Sequence, residues 1–92
     1  MYLVVHHRIT DRKGFLATDP KDIGGNAPDG VVVKLFLPAR DASAADCLWD
    51  APSLDALRGY LDPATSGIAE NTYFEVDAGF AVGLPEHETS SV

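Results

Sequence analysis

The chain of 92 residues contains one cysteine, one tryptophan and one methionine, and its seven basic residues face 14 acidic ones. Each shortage excludes something. A lone Cys47 rules out an intrachain disulfide, a dithiol redox pair and zinc-type Cys/His spacing. The scarcity of Lys and Arg leaves a net charge of −7 and no basic stripe to neutralise phosphates, so nucleic acid is not an expected partner. Anionic membrane surfaces are disfavoured for the same reason. No apolar run approaches the roughly 20 residues of a membrane span. The opening MYLVV is too short for a signal-peptide core and has no basic leader, so the cytoplasm is the expected location. Neither a Ser-His-Asp pattern nor a phosphate-binding loop is present, because GGNAPDG has neither the spacing nor the lysine of one.

What remains is the composition of one small globular domain, 46% hydrophobic and 23% charged. A chain of this length buries only about 65% of the surface its unfolded form exposes, so association with a second copy would help its stability. The domain is expected over 1–84, with a polar, frayed tail at 85–92. Residues 1–9 are β-branched, aromatic or apolar and read as a strand. Thr10 or Asp11 suits the cap of a short helix through Leu16 or Ala17, and a second helical scrap surrounds Ile23 before the breaker cluster Gly24-Gly25-Asn26. Strands follow at 30–38 and 45–51. PSLDALRGYLD is a helix with Ser53 as its cap and Leu54, Leu57 and Leu61 on one face, ended by Asp62-Pro63. A last strand starts at Asn71.

This order, βαββαβ, predicts an α+β ferredoxin-like domain with a four-stranded antiparallel sheet in the order 4-1-3-2. The helices cover one sheet face. The strands are apolar on both sides, which marks the other face as an interaction surface and points to a homodimer of stacked sheets, a dimeric α/β barrel.

The candidate functional residues gather around VVHHRI. Successive strand side chains point to opposite faces, so His6 and His7 cannot chelate one ion from one face. His7 is expected on the helix side with Leu3 and Val5. The simplest assignment also puts Leu48, Phe74 and Val76 there, and leaves Val4, His6, Cys47, Trp49, Tyr73 and Glu75 on the cavity face as a ligand-binding set. Glu75 opposite His6 would orient the imidazole and raise its basicity, as a general base requires, or the pair is simply a structural hydrogen bond inside the dimer interface. Cys47 also reads as a small buried hydrophobe, and Trp49 as a packing anchor.

VVHHRI, CLWDAPSLDALRG and YFEVD together resemble a family of small bacterial proteins of the dimeric α/β-barrel superfamily, with a member described as nickel-binding. The resemblance implies a homodimer that binds nickel or another divalent transition metal, with His6 or His7 among the ligands, or a small apolar molecule in the inter-sheet cavity. Imidazole suits nickel, and an acidic protein attracts cations. The alternative is a cofactor-independent enzyme of the cyclase, isomerase or monooxygenase type, with His6 as general base and Glu75 as its partner.

Overall fold

The densest run of β-formers becomes the centre of the sheet. In the computed structural model, which describes residues 1–85, strand β1 spans Tyr2–Ile9. It is followed by α1 (Arg12–Ala17), α2 (Pro20–Gly25), β2 (Val32–Pro38), β3 (Ala44–Asp50), α3 (Leu54–Ala64) and β4 (Ala69–Glu75). The fold is α+β, with a four-stranded antiparallel sheet in the order β2-β3-β1-β4. Read from the other edge this is 4-1-3-2, consistent with a ferredoxin-like domain. The expected tail, apart from Pro85, lies outside the described residues. No helix among those described is long and apolar enough to cross a membrane.

The helices start where side chains can satisfy their first free N–H groups. Asp11 accepts from Gly14 N at the head of α1, Asp19 from Lys21 N at the head of α2, and Ser53 from Ala56 N at the head of α3. The first crossover thus holds two short helices, with Asp19 opening the second and Pro20 at its first position. α3 continues past Asp62 and takes Pro63 into its last turn. The N–H that proline lacks would have gone to the carbonyl of Gly59, an exposed residue.

α3 lays Leu57 and Leu61, one turn apart, onto Leu3, Val5 and Trp49, and all five are essentially inaccessible. Each such aliphatic side chain contributes about 1.5–3 kcal/mol by leaving water.

Cross-strand pairing decides which residues share a face. Val5 pairs with Cys47 and Tyr73, and Leu3 with Trp49 and Glu75. Val4 pairs with Leu48 and Phe74, and His6 with Asp46 and Thr72. The expected positions of Leu48 and Phe74 are therefore corrected: they lie with Val4 on the uncovered face, while Cys47, Trp49 and Tyr73 turn toward the helices. The reason is that alternation gives the two sets within a strand, but only the register tells which set aligns with which set next door. Strict alternation also fails along β2, where the register shifts between Val33 and Leu35. The additional residue, Lys34, puts Val33 and Phe36 on the helix side together and sends Leu35 and Leu37 to the uncovered face.

Candidate functional site

Between the sheet and the helices lies a pocket of about 380 Å³. Phe15 and Leu16 of α1, Ile23 of α2 and Leu61 and Ala64 of α3 wall it, with Val33 and Phe36 of β2 on the far side. His7, Cys47 and Trp49 supply the sheet side, and Arg40 stands at the β2–β3 turn. The walls are apolar because the inward faces of three short helices and four strands do not close completely over one another. Phe15 and Phe36 meet with ring centroids 6.2 Å apart, and Tyr60 meets Trp49 edge-on at 6.3 Å.

The polar groups on the pocket side form one connected chain that ends in the pocket. Asp62 of α3 accepts from the Tyr73 hydroxyl at 2.6 Å and from Asn71 Nδ2 at 3.1 Å. Asn71 Nδ2 also donates to Thr65 Oγ1 at 2.8 Å, whose own proton goes to the Leu61 carbonyl. A carboxylate only accepts, so this contact identifies the nitrogen end of the Asn71 amide. The amide oxygen then faces His7, with Nδ1 at 2.5 Å. His7 Nδ1 must be the donor, and in the neutral ring Nε2 carries the lone pair. Nε2 lies 3.2 Å from the Cys47 sulfur, so the thiol donates to it. The Arg58 guanidinium sits 5.2 Å from the centre of the Tyr73 ring and completes the outer end of the chain.

Burial sets the charge states. Removal from water pushes the His7 pKa below its usual 6.5; the Asn71 hydrogen bond and the more distant Asp46 oppose this, and the neighbouring His6 adds to it. Removal from water also pushes the Cys47 thiol up to about 12. Tyr73 is raised as well, by desolvation first and then by Asp62. Thiol and imidazole are thus both neutral at physiological pH. The buried Trp49 Nε1 makes no hydrogen bond among the described residues.

The sequence-expected set is divided between two faces. His6 lies on the uncovered face, 2.7 Å from Asp46 and half exposed, in the company of Val4. Cys47, Trp49 and Tyr73 belong to the helix side with His7. Glu75, exposed at the end of β4, stands opposite Leu3 and away from His6, so the His6–Glu75 pair is not formed. The side chains follow strand parity: an odd residue of β1 pairs with odd residues of β3 and β4. His6 and His7 cannot share an ion within one chain. Among the described residues, no three His, Cys, Asp or Glu side chains come together as metal ligands. His87 lies outside the described residues. Asn71, Thr65 and Asp62 are the members that sequence reasoning missed. The only signal for Asn71 was its place two residues before Tyr73, a polar side chain on the same strand face.

Comparison of the chain with family models, with curated proteins and with solved structures gave no match.

Proposed function

We propose that this chain is a small binding protein that takes an apolar molecule between its sheet and its helices, and that it acts as a homodimer joined through the uncovered sheet face. The observation that carries the first part is the pocket. Its volume of about 380 Å³ falls in the range of small-molecule sites, and apolar walls with a few convergent polar groups are what such sites have. The ligand-binding residues are then His7, Cys47, Trp49 and Phe36 rather than a set around His6. Trp49, the only tryptophan, is in the pocket wall and makes the test direct. Benzylacetone, an apolar ketone, is expected to quench its fluorescence saturably. Replacing the lining Ala64 with Phe fills the space and abolishes the quenching, with the circular dichroism spectrum retained. Equal affinity in the filled variant sinks this reading.

The dimer rests on the composition of the uncovered face. Leu35, Leu37 and Phe74 are 44%, 59% and 59% exposed beside half-buried Val4, and the ion pairs His6–Asp46 and Arg8–Glu70 border them; Leu48 and Tyr2 on the same face are already buried, Tyr2 with its hydroxyl donating to the Pro85 carbonyl. An apolar centre with a polar rim is the anatomy of a stable interface, and a second copy offers the same surface in return. Stacked sheets would bury roughly 1,600 Å². Light scattering is expected to return twice 9.8 kDa at micromolar concentration, and Phe74→Glu to return a monomer. A wild-type mass of 9.8 kDa removes the stacked pair.

A further inference from the structure

We infer that Cys47, His7 and Asn71 form a thiol–imidazole–amide relay at the floor of the pocket, in which Cys47 is the nucleophile, His7 its general base and Asn71 the positioning residue, and that its substrates are apolar electrophiles of the α,β-unsaturated carbonyl class. The inference rests on the pocket as a binding site and adds chemistry to it. Three observations converge. The sulfur is within hydrogen-bond reach of Nε2 at 3.2 Å. The other ring nitrogen is held at 2.5 Å by an amide whose orientation Asp62 and Thr65 dictate, so the tautomer with its lone pair toward sulfur is the one present. Both Cys47 and His7 line the same apolar cavity. A nucleophile, a base in contact with it and a third group orienting the base are the parts that covalent catalysis requires.

The chemistry follows from the charge states. A thiol held up to about 12 supplies almost no thiolate at neutral pH, so attack needs its proton removed as the new bond forms. In the addition step the sulfur bonds to the β-carbon of the enone. The carbon–carbon π pair moves toward the carbonyl, and the thiol proton passes to His7 Nε2 and from there to the α-carbon. No leaving group, oxidant or reductant is involved. An apolar pocket selects the electrophile: Phe15, Phe36 and Ile23 favour an aryl or alkyl chain over a charged one. The groups that bear on His7 are His6 beside it on β1, Asp46 on β3, Asn71 and Tyr73 on β4, Asp62 on α3 and, at the rim, Arg40; α1 and α2 present no titratable side chain to the pocket.

The test uses benzylideneacetone, an apolar enone, with benzylacetone as its saturated counterpart. Intact-mass and peptide mapping are expected to find one adduct on Cys47, absent in Cys47→Ser. For wild-type protein the adduct rate at saturating enone should be flat above neutral pH and fall on acidification as His7 takes up a proton. A rate that climbs tenfold per pH unit from neutrality toward pH 9.0 instead belongs to an unassisted thiol and overturns the relay. His7→Gln should slow the addition by about a hundredfold or more. Asn71→Ala removes the acceptor that holds the His7 tautomer, so the rate should lose its flat limb and climb with pH as that of an unassisted thiol does. A merely structural Asn71 would leave the flat limb in place. Benzylacetone separates the two claims: quenching without any Cys47 adduct from the enone overturns the relay alone, and no quenching removes the pocket reading and the relay together.

Discussion

His6 and His7 are neighbours in one strand, yet they inhabit opposite sides of the sheet and different physical worlds. His7 is 7% exposed, bonded at both ring nitrogens and joined through Asn71 to Asp62 and Tyr73. His6 is half exposed and meets one carboxylate across the open face, Asp46. The same contrast holds for whole faces. On the helix side, large side chains are fully buried and polar groups are linked into one network; on the other, only Tyr2 and Leu48 of the described residues are buried, Leu35, Leu37 and Phe74 are accessible, and the ion pairs sit in water. A residue's chemistry here depends on strand parity more than on residue type, because burial raises the worth of every hydrogen bond and the cost of every charge.

That contrast is open to measurement. The largest effect belongs to Trp49→Ala, which removes the largest fully buried side chain; chemical denaturation should find a loss of about 3–5 kcal/mol. A loss below about 1 kcal/mol would mean that the covered face is not the core. Next comes Asn71→Leu. It leaves His7 Nδ1–H without its acceptor and breaks the link to Asp62, so a loss of about 1–3 kcal/mol is expected. On the opposite face, His6→Ala and Arg8→Ala should each cost under about 1 kcal/mol, since exposed pairs contribute little. If His6→Ala proved as costly as Asn71→Leu, the two faces would not differ as described.

Acidity sharpens the comparison further. The folded-state pKa of His7 is lowered from 6.5, so the unfolded chain binds more protons at and just below that pH. Stability from this group is complete above pH 6.5 and is lost as pH falls toward the folded value. At the alkaline end the sign reverses. Cys47 holds its proton to about 12 when folded and to 9.0 when unfolded, so stability declines as pH rises past 9.0. Urea titrations across pH should show both limbs. Cys47→Ser should remove the alkaline limb contributed by the thiol, and His6→Ala, which takes away a neighbour that helps lower the His7 pKa, should weaken the acid limb and leave the alkaline one in place.

Several parts of this architecture were legible in the chain itself. β-Branched runs marked the strands, Asp11 and Ser53 marked helix starts, and the order of elements implied the antiparallel sheet with β1 at its centre. The separation of His6 from His7 was legible as well, because adjacent side chains on a strand diverge. The candidate site was far less so. ADCLWDA is apolar at both parities, with Cys47 and Trp49 on one and Leu48 on the other, and hydrophobic pattern alone cannot choose between them.

Register made that choice. It paired Val5 with Cys47 and Tyr73, took Trp49 into the core, and moved Leu48 and Phe74 to the uncovered face. The irregularity at Lys34 did the same for β2. Asn71 acquired its role only because α3 brings Asp62 and Thr65 to its nitrogen while β1 brings His7 to its oxygen. By itself the sequence determined which segments form strands and helices, since propensity, capping and alternation are local properties. Only the tertiary structure decided which histidine meets the cysteine, because partners 40 residues apart are chosen by strand register and helix packing.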